Sequence, residues 1–240
     1  MHPILFKCEP ITIYSYGAMI VLAFFVSTYL AQLKAKKSGL SPDLIINLSL
    51  LILFAGIIGA RLLYIAINIR DYIENPLEVL MLWHGGLAYY GGAIAALTAG
   101  IIYIKRKKIS VFVIGDIIAP YAALGQAIGR IGCFLNGCCY GKPMVSGALY
   151  PTQIYSSISL FFLFLFLIFL QKRKLAAGTV LISYGLFYSV GRFMMEFLRG
   201  DNTVFILGMT FSQFVGAVIF FICAIFLIIR ISGKYGKNTN

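Results

Sequence analysis

Tyr188, Arg192, Glu196 and Arg199 follow one another at spacings of four, four and three residues, which stacks their side chains along one face of a helix. Arg192 and Glu196 are read in two ways: as an intrahelical ion pair that neutralises buried charge, or as an acid that orients an arginine toward an anion. Two more arginines, Arg61 and Arg130, stand at or inside apolar runs of their own. The planar guanidinium fork matches phosphate oxygens bidentately. Three arginines offset by one nearby glutamate therefore point to a phosphate-bearing ligand, and a lipid phosphate supplies the missing negative charge.

The elements that must position these residues follow from composition. Of 240 residues, 60% are hydrophobic and 12% charged, with a mean hydropathy of +0.91. Soluble domains run about 45–50% apolar and about 25% charged, so a soluble globular chain, a disordered one and a collagen-like one are all excluded. A spanning helix needs about 20 mostly apolar residues. Seven candidates appear, at about 13–33, 44–67, 86–104, 111–132, 153–170, 177–198 and 210–229. The expectation is an all-α polytopic membrane protein forming a single integral membrane domain over residues 1–240. No basic run leads the first apolar stretch and no small-residue cleavage site follows it, so it reads as a retained span.

The formal net charge is +12, which in a soluble protein would suggest nucleic acid. Thirteen basic residues follow the first, third, fifth and seventh spans, from Lys34–Lys37 to Arg230–Lys237, and Asp43 alone opposes them on that side. The other seven basic residues meet seven acidic ones. The excess thus belongs to alternate loops, which predicts an outside N-terminus and a cytoplasmic C-terminus. The basic loops are short and lack aromatic interleaving, so no nucleic-acid partner is expected.

A charge at mid-membrane costs about 2.5–3.5 kcal/mol on insertion scales, which makes each one a functional candidate. The predicted topology gathers Arg61, Arg130, Arg192, Glu196, His84, Tyr90, Gln153 and Tyr155 toward the outer leaflet. Asp116 falls near the inner end of the fourth span. The run GQAIGRIGCFLNGCCYGKP over Gly125–Pro143 is too broken for a straight helix to Pro143 and too apolar for a free loop, so a re-entrant or interfacial segment is expected after the fourth span. Gly125 and Gly129 form a GxxxG pair suited to close helix packing. Two Gly-Gly pairs in WHGGLAYYGG, Trp83–Gly92, allow another backbone or a lipid headgroup to approach.

Cys133, Cys138 and Cys139 are grouped, but zinc asks for four ligands, no histidine lies near them in sequence, and the spacing is not a usual zinc pattern. No metal and no cofactor are expected. A disulfide to Cys133 and plain small-residue packing both remain open.

At these residues the chain resembles the phosphatidylglycerol–prolipoprotein diacylglyceryl transferase family. The carriers are GARLLY (Gly59–Tyr64), GGLAYYGG (Gly85–Gly92), GRIGCFLNGCCYG (Gly129–Gly141), PTQIY (Pro151–Tyr155) and YSVGRFMMEFLRGD (Tyr188–Asp201). The resemblance implies transfer of the diacylglyceryl group of phosphatidylglycerol to the lipobox cysteine in a prolipoprotein signal peptide, with glycerol phosphate released. It implies catalytic roles for Arg130, Arg192, Tyr188 and Glu196, and a place in the bacterial cytoplasmic (inner) membrane with the site toward the outer, periplasmic side. Asn136, Gly137, Gly141 and Gln153 match motif positions around the lipid site, and Arg61, Gly91, Gly92, Tyr155 and Arg199 complete the expected substrate-binding set. Departures fall at Tyr90, where some members carry a histidine proposed as base, and at Cys133 and Cys138, where asparagine and glutamate are usual. Tyr150 stands where the family has histidine.

The expected chemistry places the lipid phosphate on Arg130 and Arg192, lowers the acceptor thiol's pKa by nearby arginines and passes its proton to Tyr90 or Tyr188. The enzyme is expected to act as a monomer among membrane lipids. A small-anion transporter or channel using the same arginines, and a non-catalytic lipid-binding relative, are the alternatives. No internal repeat of the transporter kind is visible.

Overall fold

Prolines, glycines and basic residues punctuate the apolar runs. Pro42 opens a helix where a missing N–H is harmless, and Lys34, Lys36 and Lys37 sit in the last turn of another, where the helix dipole favours cations. The computed structural model describes residues 2–8, 11–81, 85–144, 147–173, 175–200, 204–206 and 208–235. Trp83, His84, Lys174, Asp201 and Lys237 lie outside the described residues. The helices are α1 (Ser15–Lys37), α2 (Pro42–Ile67), α3 (Ile69–Glu74), α4 (Tyr89–Arg106), α5 (Val111–Asn136), α6 (Thr152–Gln171), α7 (Thr179–Leu198) and α8 (Phe211–Tyr235), with a 3₁₀ turn at Pro76–Leu80.

Five helices, α1, α2, α5, α6 and α8, are long and apolar enough to cross a membrane. The chain is therefore a polytopic helical membrane protein. Two helices, α4 and α7, fall short in apolarity: α4 opens on two tyrosines and two glycines and ends on Lys105–Arg106, and α7 carries Arg192 and Glu196. The all-α expectation needs one amendment. Short antiparallel hairpins precede α1 and α8, formed by β1 (Ile4–Cys8) with β2 (Ile11–Tyr14) and by β3 (Val204–Ile206) with β4 (Met209–Thr210).

By internal contacts the chain divides into two compact units, residues 1–31 with 115–240, and residues 32–114. In the first unit α5 is the most enclosed span, with 39% of its apolar window buried against 11% for α8. Its Ala119, Ala123 and Ala127 recur every four residues and meet Leu160, Leu163 and Leu167 of α6 and Val180 of α7. Small residues on one side let leucines interdigitate from the other. The Ser157 hydroxyl donates to the Ala127 carbonyl at 2.8 Å inside this packing. Another face of α5 receives α1: a Cβ added at Gly125 would stand 2.6 Å from Ser27 Oγ, and one at Gly132 2.9 Å from Met19 Cβ. The GxxxG run thus serves packing, and α5 continues past its expected end at Gly132 to Asn136 because its glycines face a neighbouring helix.

Asp116 is also accounted for in this unit. Its carboxylate accepts from the backbone N–H groups of Gly178 at 2.5 Å and Leu181 at 2.8 Å. The N-cap of α7 is Gly178, which has no side chain to satisfy the first N–H groups. Asp116 supplies the missing acceptor at the positive end of the helix.

In the second unit α2 and α4 form the most extensive helix pairing. A Cβ at Gly91 would fall 2.4 Å from the Gly59 carbonyl oxygen, and one at Gly92 2.8 Å from that of Gly56. Gly91 and Gly92 were expected among substrate-binding residues; here both are filled by α2. Arg61 departs from expectation in the same way. It is buried and its guanidinium donates through Nε to Val79 O at 3.2 Å, through Nη1 to Gly85 O at 2.5 Å and Gly86 O at 3.1 Å, and through Nη2 to Glu78 O and to Met81 O at 3.3 Å. Five N–H groups meet five carbonyls, so Arg61 gathers the chain between α3 and α4.

Gly91→Leu should overpack the α2–α4 crossing and cost about 1–3 kcal/mol. Gly17→Leu, where nothing lies within 4 Å of the added Cβ, should be tolerated. Thermal unfolding of the two detergent-solubilised variants checks the contrast.

Candidate active site

The polar strip on α7 comprises Tyr188, Arg192 and Glu196 and is held from behind, whereas Arg199 lies past the helix end in extended backbone. Arg192 Nη1 pairs with Glu196 Oε2 at 2.7 Å, and the Glu196 carboxylate is fully enclosed. Thr210 donates its hydroxyl to Glu196 Oε1 at 2.7 Å. Thr210 is itself bound into the start of α8, where its N–H donates to Gln213 Oε1 at 2.9 Å and its Oγ1 accepts the Gln213 N–H at 3.3 Å. This is a reciprocal capping box. Arg192 Nη2 also donates to Ser212 Oγ at 3.1 Å. The first residues of α8 thus fix both members of the α7 ion pair.

In front of this assembly lies a cavity of about 370 Å³, within the usual range of about 300–1,000 Å³ for a ligand site. Arg130 of α5 and Tyr188 and Arg192 of α7 line it together. The rest of its wall is mostly apolar, from Leu160, Phe162, Leu163 and Phe166 of α6 and Phe187, Val190 and Met195 of α7, with Ser156 and Ser159 between. Two guanidinium groups against one carboxylate leave a net charge of +1. Cations facing a wall of aromatic and branched side chains suit an amphiphile with an anionic head. The core-packed ring of Tyr188 lies 5.7 Å from that of Tyr184.

A rigid turn follows α5. Gly137, left-handed at φ 78°, ends the helix, and the N–H groups of Gly137 and Cys138 return to the Cys133 carbonyl at 3.0 and 3.2 Å. Asn136 is exposed at this end. Gln153, buried at the start of α6, donates Nε2 to the Cys138 carbonyl at 2.8 Å, and Thr152 Oγ1 donates to the Cys139 carbonyl at 2.8 Å. Gly141 bridges to Arg199, and a Cβ there would stand 2.5 Å from Tyr150 Cβ and 2.8 Å from the Leu198 carbonyl oxygen. Gln153, Gly137 and Gly141 therefore shape the loop, while Tyr155 is exposed on the first turns of α6.

Cys133, Cys138 and Cys139 are free thiols whose sulfurs all lie within 4.8 Å of one another. A hydrogen bond from the Cys133 thiol, reinforced by Arg199, the Cys138 thiol and Arg130 against the effect of burial, holds the Cys139 thiol below its ordinary value.

The structure thus brings Arg130, Tyr188 and Arg192 to one cavity with Glu196 behind them. Tyr90 belongs to the unit formed by residues 32–114, where it is 40% exposed and its ring lies 5.5 Å from that of Tyr89. Thr210, Ser212 and Gln213, and the cavity serine Ser159, were not singled out from the sequence, whereas Ser156 stands where the resembled family has glutamate. The first group had a signal, since Thr-x-x-Gln before an apolar run is the spacing of a capping box.

The family model for prolipoprotein diacylglyceryl transferase matches residues 3–230. Among similar proteins, the phosphatidylglycerol--prolipoprotein diacylglyceryl transferase of Clostridium tetani is 39% identical over 230 residues, covering 90% of this chain and 92% of its own. The proteins of the same name from Staphylococcus xylosus and Bacillus velezensis are 34% and 30% identical, each covering 96% of this chain and 90% and 92% of their own. With a match that runs through every element from the first hairpin into α8, the chain belongs to the prolipoprotein diacylglyceryl transferase family.

Proposed function

We propose that this protein transfers the diacylglyceryl group of phosphatidylglycerol to the lipobox cysteine thiol of prolipoproteins. The observation that carries the proposal is the cavity in which Arg130 and Arg192 face an apolar wall. The activity for which the relatives are named favours this transferase over a small-anion transporter.

In the proposed step the acceptor thiolate attacks the diacylglyceryl carbon that bears the phosphate ester. A C–S bond forms, the C–O bond breaks, and glycerol phosphate leaves with the bonding electron pair. The departing phosphate gains a negative charge, and preorganised guanidinium groups stabilise it where it develops. Glu196 and Ser212 hold the Arg192 fork, so its alignment does not have to be found anew in each cycle. The thiol proton passes to a phenol relay, Tyr188 in the cavity or Tyr90, and on to solvent. Arg199, Asn136 and Tyr155 stand at the loop that follows α5 and at the start of α6, where a peptide segment would approach.

The proposed arrangement in the membrane is seven spans, with α4 and α7 added to the five most apolar helices. The N-terminus lies outside, the C-terminus in the cytoplasm of a bacterium, and the turn after α5 at the outer surface of the inner membrane. The distribution of the thirteen basic residues among alternate loops supports it. The proposed catalytic form is a single chain forming one membrane domain.

Transfer from phosphatidylglycerol vesicles to a lipobox peptide, read as the peptide's mass gain, tests the proposal. Arg192→Ala should lower turnover by at least about 10²–10³-fold, and retained activity would sink the phosphate clamp. Tyr90→Phe separates the two phenols: a loss of about 10²-fold or more assigns the proton relay to Tyr90, whereas near-normal turnover removes it. Thr210→Val leaves the cavity wall intact but strips a hydrogen bond from a buried carboxylate, at about 1–3 kcal/mol. Its kcat/KM should fall about tenfold or more, with Thr210→Ser restoring it.

A further inference from the structure

Adjacent residues in an extended chain point to opposite sides, so neighbouring cysteines do not ordinarily share a site. Here Cys139 is left-handed at φ 60°, and the turn brings its sulfur together with that of Cys138 and with Cys133 from the last turn of α5. All three sulfurs lie within 4.8 Å of one another. Sulfurs bound to one metal at about 2.3 Å stand about 4 Å apart, so the triad needs only a small contraction to close on an ion. A disulfide would use two of the three and leave the third idle.

We propose that Cys133, Cys138 and Cys139 form a binding site for one soft d10 cation, of the Zn(II), Cd(II) or Cu(I) class, held by three thiolates. Thiolate donors select such ions over hard cations. The turn that carries the sulfurs is also fixed by contacts that do not involve them. Backbone N–H groups of Gly137 and Cys138 bind the Cys133 carbonyl, and Thr152 and Gln153 anchor the Cys139 and Cys138 carbonyls. Both anchoring side chains are almost completely buried, which makes the turn stiff. Charge is compatible as well, at Cys139 above all. Three thiolates with a divalent ion carry −1, with a monovalent ion −2, and the guanidinium groups of Arg130 and Arg199 act on the same sulfurs.

The test uses the full-length protein in detergent, reduced and kept under argon, titrated with Cd(II). One ion should bind per chain, with a thiolate-to-metal charge-transfer band in the ultraviolet. Alkylation of the folded, unaltered protein followed by peptide mass mapping should then find Cys133, Cys138 and Cys139 protected by Cd(II), and Cys223 modified to the same extent with and without the ion. Cys133→Ser, Cys138→Ser and Cys139→Ser should each weaken binding by more than the about 10–100-fold that loss of an outer-shell partner costs. Gln153→Ala should fall within that outer-shell range, and Cys223→Ser should bind as the parent does. Absence of the band, protection of fewer than three of these cysteines, or recovery of two of them as a disulfide from the argon-purified protein would each overturn the site. None of these readouts depends on transferase turnover, so failure of the ion site leaves the proposed reaction standing, and the converse holds.

Discussion

The Arg192–Glu196 pair is the constraint on which the site depends. A carboxylate with no solvent contact needs compensating bonds, because an uncompensated buried charge costs several kcal/mol. Arg192 supplies the opposite charge at 2.7 Å and Thr210 a hydroxyl at 2.7 Å. Removing Arg192 would leave that carboxylate a buried charge without its counter-ion. The pair therefore pins the last turns of α7 to the first turn of α8, and the capping box of Thr210 and Gln213 prevents that turn from unwinding. An arginine so fixed presents a constant geometry to the cavity. A flexible lysine at the same place would hold charge without a fixed fork.

The small residues of α5 complete the site by a different means. Alanines at 119, 123 and 127 bring α6 close, glycines at 125 and 132 bring α1 close, and Arg130 emerges from the same helix among them. The helix is thus crowded where its side chains are small and projects its one long cation into the cavity. Position there is set by packing on two faces, which resists rotation of the helix about its axis. The cavity inherits that rigidity on its Arg130 side as it inherits the ion pair's on its Arg192 side.

Much of this was legible in the sequence because it rests on periodicity. Spacings of four placed Tyr188, Arg192 and Glu196 on one face, and the apolar runs located the long helices among the described residues, with the end of α8 displaced most. Arg61 was not legible in the same way. Its depth resembled that of Arg130, but its partners are backbone carbonyls of Glu78, Val79, Met81, Gly85 and Gly86, and no residue type announces a carbonyl. Gly91 and Gly92 were ambiguous for a related reason, since a glycine invites backbone and ligand alike, and only the α2 chain opposite decides between them. The three cysteines lacked a recognisable spacing because a left-handed residue, not a helical or extended repeat, brings them together.

Membrane-embedded charges are therefore sorted by what their partners are, not by depth. Asp116 accepts from two N–H groups at the start of α7, and Arg61 fills five carbonyls; both bind the backbone, and both repair ends of regular structure that the chain's own caps do not satisfy. Arg192 differs because its partners are side chains of two helices and its guanidinium borders an open cavity shared with another arginine. Backbone partners consume a charge entirely. Side-chain partners orient it, and the cations Arg130, Arg192 and Arg199 outnumber the carboxylate of Glu196 there. A guanidinium oriented in this way, with an open cavity before it, can hold growing negative charge more tightly than a resting one, and such a difference between ground state and transition state is the condition for catalysis.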